Sequence, residues 1–328
     1  PGVKYKAINP FDTQLSIRWP ISKKSSILSE KDAANPGLSE LTSGATYSGY
    51  IFGANGQLGR ELTKNFAGLR ALQRSEVDVS SLQHLADVTI QPSDIVINAA
   101  AFTAVDAAET PAGIASAFEA NVLGVQNLSN ACSKAGATLI QFSTDYVFDG
   151  GKVGPNRPTD LPRPLNVYGL SKSAGEAIAM SNPKTYIVRT SWVYGDGSNF
   201  VRSIFMAAQK RKEIRVVQDQ VGRPTSTARL SQATKFLIDQ NLPFGIYHVT
   251  DAGPLVSRYE LAVFIYEYLQ VPGSLVTPVD SSETALQSAA QRPLNSDLGD
   301  QNEHLGIPDS WKLKVPSYLN LLKKRGLE

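Results

Sequence analysis

Tyr168 and Lys172 are the residues whose types and spacing most directly suggest chemistry. Four positions separate them, so on a helix they share one face, one turn apart. A free phenol titrates near pH ~10 and is a poor acid–base group at neutrality. An ammonium one turn away favours the phenolate. It is expected to draw that pKa toward the working range, and the same lysine can hold a ribose. Upstream, Ser143-Thr144-Asp145 closes an apolar stretch, and the Thr144 hydroxyl can hydrogen-bond a substrate carbonyl. A third feature is the run Gly53-Ala-Asn-Gly56-Gln-Leu-Gly59. In such a run the first glycine allows a tight turn. The second lets the backbone approach a pyrophosphate, and the third lets a helix pack close to a strand. The free N–H groups of the helix then hold the phosphates. Glycine turn, strand-end hydroxyl and Tyr-Lys pair, in that order, imply an oxidoreductase that uses a nicotinamide dinucleotide.

The elements that must position these residues are legible as an alternation. Strands are expected at 47–52, 69–72, 94–100, 138–143 and 185–190. Helices are expected at 57–66, where Leu58, Leu62 and Phe66 recur every four residues, at 114–136 with a closing glycine, and at 167–180 after the proline-rich loop 155–164. Strands alternating with helices predict a parallel sheet covered on both faces. The expected fold class is α/β, a Rossmann-type doubly wound parallel sheet with a smaller mixed α/β substrate lobe. The second half is less regular: helices at 199–212 and 258–269, strands at 214–217 and 245–249. The expected division is a tail and linker at 1–44, an NAD(P)-binding domain at 45–195, and a mainly substrate-binding lobe at 196–328. Segments near 225–250 are expected to return to the first domain.

The end of the second strand bears on cofactor choice. An acid there commonly holds the adenosine ribose. Here Gln73 replaces it, followed by Arg74 and Ser75, a guanidinium and a hydroxyl suited to a 2′-phosphate. NADPH is expected, with NADH also possible.

Composition excludes other classes. The chain has 328 residues, 42% of them hydrophobic, and a net charge of +2, which gives no broad pull toward nucleic acid or an anionic membrane. No apolar run approaches the ~18 residues of a membrane span, and no signal peptide is visible. A single cysteine, Cys132, permits no disulfide within the chain and fits a reducing compartment, the cytoplasm. His84, His248 and His304 are scattered without metal-ligand spacing. The basic run 210–212 suits a helix C-terminus. Pro1 in first place suggests a chain trimmed or cut from a longer one.

Taken together these residues resemble the short-chain dehydrogenase/reductase superfamily in its nucleotide-sugar branch. The finer resemblance is to the dTDP-4-dehydrorhamnose reductase family. It rests on residues 53–62 (GANGQLGREL), 98–106 (NAAAFTAVD), 121–128 (NVLGVQNL), 143–150 (STDYVFDG), 166–176 (NVYGLSKSAGE), 189–195 (RTSWVYG) and 219–225 (DQVGRPT). It implies reduction of the 4-keto group of dTDP-4-dehydro-L-rhamnose, with Thr144, Tyr168 and Lys172 as catalytic residues. It further implies cofactor contacts from Gly53, Asn55, Gly56, Gln57, Leu58, Gly59, Arg74, Asp78, Ala99, Ala100 and Ala101. Substrate contacts are implied for Thr103, Val105, Asp145, Tyr146, Trp192 and Arg223. Related dehydratases place an Asp-Glu pair after the strand-end threonine, because eliminating water needs an acid and a base. Here Asp145 is followed by Tyr146, so simple keto reduction fits better.

Some members of the family hold magnesium at a dimer contact through glutamates. Glu61 matches one such position, whereas 225–232 carries no acid, so no metal-ligand set is assigned and a need for magnesium stays open. A homo-oligomer also stays open. Residues 9–41 resemble the C-terminal end of the dTDP-4-dehydrorhamnose 3,5-epimerase family, which implies a fusion of consecutive enzymes and a missing epimerase portion of the same polypeptide as partner. Asp32 can match that family's dyad aspartate, but the dyad histidine is absent, so no epimerase activity is expected. Two alternatives are another nucleotide-sugar reductase or epimerase, and a non-catalytic dinucleotide-binding regulatory subunit.

Overall fold

Six short apolar runs meet edge to edge in one parallel sheet. In the computed structural model, which describes residues 47–284, 288–299, 305 and 309–326, these are β1 (Gly49–Phe52), β2 (Arg70–Leu72), β3 (Ile95–Asn98), β4 (Thr138–Thr144), β5 (Thr185–Thr190) and a sixth strand, Gly245–His248. Their spatial order is Gly245–His248, β5, β4, β3, β1, β2. Every neighbouring pair is parallel, with Tyr50 opposite Arg70 on one side and Val96 on the other. Ile51, Phe52, Ile97, Leu139, Ile140, Ile187 and Val188 are all fully buried. That is the mark of strands covered on both faces, and it explains why these runs are apolar rather than alternating. From β1 the chain goes one way to β2 and the other way to β3. The crevice at the carboxyl ends of β1 and β3 is therefore the switch point where such sheets bind ligands.

The helix Gln57–Asn65 follows β1 directly. The helix expected at 114–136 begins earlier, at Pro111, because Thr110 caps it and proline fits a first helical turn. It continues through a π turn, Glu119–Leu123, into Gly124–Ala135, and Gly136 ends it at φ 74°. The π turn buries Asn121, whose amide bonds both the N–H and the carbonyl of Phe102 and the Ser171 hydroxyl. That one side chain ties the loop after β3 to the helix carrying Tyr168.

Ser48–Glu328 forms one unit by its internal contacts. Within it a second core gathers Tyr194, Phe205, Ile265, Tyr266, Trp311 and Leu319. Helices Phe200–Gln209 and Arg258–Tyr268 and the parallel pair Ile214–Val217 with Val276–Val279 surround that core. The helices Thr227–Asp239 and Trp311–Lys324 had no sequence expectation. Pro316 sits inside the latter and reads locally as a helix breaker. The expected tail and linker at 1–44, with Asp32, lie outside the described residues, as does His304. Among the described residues no helix is long and apolar enough to cross a membrane.

Candidate active site

The glycine turn is shaped by what it excludes. Gly53 stands at φ 77°, and a Cβ there would lie 2.5 Å from the Ala100 nitrogen. A Cβ on Gly59 would lie 2.1 Å from the Gly53 carbonyl oxygen. The helix after the turn starts at Gly56 with no side-chain cap, which leaves its first N–H groups open to a ligand. A crevice of about 520 Å³ opens in front of it. Of the residues expected at the site, Gly56, Gln57, Leu58, Ala99, Ala101, Thr103, Val105, Tyr146, Tyr168, Lys172 and Trp192 line this crevice. Gly53, Gly59 and Ala100 form the turn and the strand end against which it closes.

Tyr168 is placed by a strongly determined helix start. Asn166 caps Val167–Ala179 by accepting from the Gly169 N–H at 2.7 Å, and Glu109 accepts from the Val167 N–H at 2.8 Å. A carboxylate there also suits the positive end of the helix. The Thr144 hydroxyl acts on the Tyr168 phenol and favours its ionised form. Thr144 donates at 3.0 Å to Asp145 and accepts from the Tyr146 N–H at 3.2 Å. The Tyr146 ring meets that of Tyr168 edge-on, centroids 5.7 Å apart.

The electrostatics correct one expectation. Burial pushes the Tyr168 phenol well above its ordinary range, against the lowering effect of the Thr144 hydroxyl, and nearby Asp145 adds to the rise. Lys172 does not draw it down. The buried ammonium donates at 2.7 Å to the Phe142 carbonyl oxygen, and burial lowers its own pKa to about 8, opposed by Glu176. Desolvation outweighs the one-turn spacing because both groups leave water together. Burial likewise raises the Asp145 carboxyl to about 6, against hydrogen bonds from Ser296 and Thr144.

Four further expected residues, Arg74, Asp78, Asn55 and Arg223, lie away from the crevice lining. Arg74 pairs with Asp78 at 2.9 Å on an exposed rim, and Asp78 also accepts from Ser80. Asn55 is exposed at the turn, its carbonyl taken by Arg60. Arg223, expected as a substrate contact, is engaged by other parts of the chain. Its guanidinium donates to Asp297 and, at 3.0 Å, to the Gly253 carbonyl, and it lines neither cavity. A guanidinium so engaged ties three chain segments together. Glu61, the position matched to a metal ligand, pairs with Lys64 at 2.7 Å. Among the described residues no group of three or more His, Cys, Asp or Glu is arranged to hold a metal ion.

A second cavity of about 1390 Å³ adjoins the crevice. The two share Val105, Tyr146, Phe200 and Arg258. Sequence reasoning missed this junction. Arg258 lies 3.8 Å from the centroid of Trp192 and 4.9 Å from that of Phe200, beside the Tyr146 phenol. Arg292 also reaches Tyr146 and pairs with Asp106 at 2.6 Å, which holds the Asp106 carboxyl at about 2. Asp106 lay inside a recognisable sequence run, but its partner stands 186 positions away, so no local signal announced it. Trp192 adopts φ 49°, unusual for a bulky residue, at this same junction.

A dinucleotide fits the crevice by an independent criterion. The Ser143 and Thr190 hydroxyls are buried, line the crevice and have no hydrogen-bond partner. Buried polar groups nearly always find one, so these two suit the polar groups of a ligand.

Sheet topology, glycine turn and the Tyr168–Thr144–Lys172 cluster define an α/β oxidoreductase-type site of the short-chain dehydrogenase/reductase class. The model of the RmlD substrate binding domain matches residues 49–324. A dTDP-4-dehydrorhamnose reductase of Aggregatibacter actinomycetemcomitans is 38% identical over 282 residues, 80% of this chain and 95% of that protein. Two solved structures agree in fold. A dTDP-4-dehydrorhamnose reductase of Clostridium acetobutylicum superposes with TM-score 0.76 at 36% identity, covering 84% of this chain and 99% of the other. The Bacillus anthracis enzyme of that name, in complex with NADP, gives TM-score 0.76 at 32% identity, covering 84% and 100%. The chain belongs to the dTDP-4-dehydrorhamnose reductase family.

Proposed function

We propose that this chain reduces the C4 keto group of dTDP-4-dehydro-L-rhamnose with NADPH, giving dTDP-L-rhamnose. The observation that carries this reading is that Tyr168 and Lys172 line, with the glycine turn, a crevice that opens into a second cavity large enough for a nucleotide sugar. A bound reduced nicotinamide supplies hydride to the keto carbon. Tyr168 supplies the proton, its O–H turning to the keto oxygen as negative charge builds there. Its raised pKa suits this role: the phenol is fully protonated at neutral pH, and an alkoxide is a stronger base than a phenolate. Thr144 rotates its single proton from Asp145 to the same oxygen, giving a second donor where charge develops. Lys172 fixes the helix face that carries Tyr168 and reaches toward a ribose. Asp145 and Tyr146 hold the sugar, whose ring lies against Thr103, Val105 and Trp192. The product is an alcohol, with one hydride and one proton added.

The NADPH preference is supported by Arg74. Its exposed ion pair with Asp78 is worth only about 0–1 kcal/mol, so the guanidinium is readily recruited to a 2′-phosphate. The Bacillus anthracis relative holds NADP. The NADP-binding part is taken as 45–195, with Gly245–His248 joining its sheet, and the substrate part as the rest of 196–328. The same reading takes 1–44 as the end of an epimerase fused upstream, and the cytoplasm as the compartment that suits an unpaired, buried Cys132.

The test is coupled turnover from dTDP-4-dehydro-6-deoxyglucose with a separate 3,5-epimerase, following NADPH absorbance. NADPH oxidation that requires both the epimerase and this chain is expected. No oxidation with any 4-keto sugar nucleotide would sink the reading and leave a dinucleotide-binding protein.

A further inference from the structure

We propose that Arg258 is the anion anchor of this site, taking at the neck between the two cavities the phosphoryl group that adjoins the sugar. This rests on the nucleotide-sugar reading above. Arg258 is placed where stability alone would not put it. It is the first residue of the helix Arg258–Tyr268, behind a capping box from Ser257 and Glu260, so its charge sits at the positive end of the helix. It is also half-buried, and burial lowers its pKa. Among the described residues the other two arginines nearby have carboxylate partners, Arg292 in Asp106 and Arg223 in Asp297. Among the described residues Arg258 has none within ion-pair distance. Tyr146 is the neutral polar group beside it, with the Asp145 charge acting from further off. A half-buried guanidinium without a bonded carboxylate is well placed to take an anion.

The geometry says where that anion lies. Trp192 and Phe200 lie against the guanidinium, their ring centroids 3.8 and 4.9 Å from its central carbon, and it lines both cavities, so its N–H donors face the neck they share. Such donors match two oxygens of a phosphoryl group. The same residue adjoins Tyr146, whose ring meets that of Tyr168 edge-on. Arg258 thereby sets how far the sugar advances into the crevice. It acts as a specificity-determining residue that selects nucleoside diphosphates over uncharged nucleosides.

The test is titration calorimetry of thymidine, thymidine monophosphate and thymidine diphosphate against the wild-type chain, Arg258→Met and Arg258→Lys. Methionine keeps the apolar stack and removes the charge. The diphosphate affinity of Arg258→Met is expected to fall at least about tenfold, with thymidine affinity changed less than about twofold. Arg258→Lys should keep part of the diphosphate preference, since it restores charge without the planar fork. NADPH binding by each variant reports that the chain is folded. Parallel losses for thymidine and the diphosphate would assign Arg258 to packing and overturn the proposal. So would an unchanged diphosphate affinity in Arg258→Met. Should Arg258→Met lose NADPH binding, Arg258→Lys decides: a partial loss of the diphosphate preference with NADPH binding intact supports the anchor, whereas an unchanged preference or an equal fall for all three ligands overturns it. If the wild-type chain binds neither thymidine nor its phosphates, the substrate reading itself has failed.

Discussion

Lys172 donates a 2.7 Å hydrogen bond to the carbonyl oxygen of Phe142, two residues before Thr144 on β4. The bond links the helix that carries Tyr168 to the strand that carries its hydroxyl partner. It fixes the separation of the two groups proposed to meet one substrate oxygen. Asn121 ties the same helix to the loop after β3, so the proton donor is held from both sides of the crevice.

Removing the donor tests the centre of this arrangement. Tyr168→Phe should lower kcat at least about 10²-fold, the usual effect of losing a general acid. The NADPH dissociation constant, read by fluorescence, should stay within a few-fold of wild type. A variant with near-wild-type kcat would move the proton source elsewhere.

Two buried titrations set the pH profile. Asp145 is raised to about 6, so below that pH it is protonated and cannot accept from a sugar hydroxyl. Lys172 is lowered to about 8, so above that pH it loses its charge. The profile of kcat/KM should therefore be a bell that rises through about 6 and falls through about 8. Asp145→Asn should remove the acid limb, and Lys172→Met the alkaline limb of whatever activity remains. A profile flat from pH 5 to 9 would contradict both assignments.

The glycine turn makes a steric prediction. A methyl on Gly59 would stand 2.1 Å from the Gly53 carbonyl oxygen, so helix and turn must separate. Gly59→Ala should weaken NADPH binding by at least about tenfold or abolish soluble expression, as expected where close helix–strand packing needs glycine. Gly136→Ala is the control. No atom lies within 4 Å of its added Cβ, so its effect is confined to the strain of φ 74°.

Stability should depend on an ion pair that does no chemistry. Arg189 donates to Glu176 at 2.9 and 2.7 Å, with both side chains buried, joining β5 to the helix of Tyr168. Glu176→Ala leaves a buried, uncompensated guanidinium. It should cost about 3–5 kcal/mol, seen as a fall in Tm. A Tm within 1–2 °C of wild type would show that water reaches the pair.

Cofactor choice is tested at the rim. Arg74→Ala should raise the KM for NADPH at least about fivefold and leave that for NADH nearly unchanged, because only the former carries the 2′-phosphate. Equal effects on both would assign Arg74 to its pair with Asp78 alone.

Local spacing determined a good part of this. The alternation of apolar strands and periodic helices, the glycine turn and the four-residue step from Tyr168 to Lys172 are short-range features. Short-range geometry, rise per residue and side-chain direction, follows from the backbone itself, and the six-stranded parallel sheet came out as those features implied, with Tyr168 and Lys172 on one crevice wall. Tertiary structure decided the rest. Arg258 and Arg292 converge on Tyr146 from more than a hundred positions away, and Arg223 turns from the cavities to Asp297. The helix Trp311–Lys324 forms around a proline because its apolar face enters a core built by distant segments. The Tyr168 phenol rises rather than falls because burial, which no spacing encodes, outweighs its charged neighbour. Desolvation and ion-pair partnership are set by whichever chain segments the fold brings together, and that is a property of packing rather than of order along the chain.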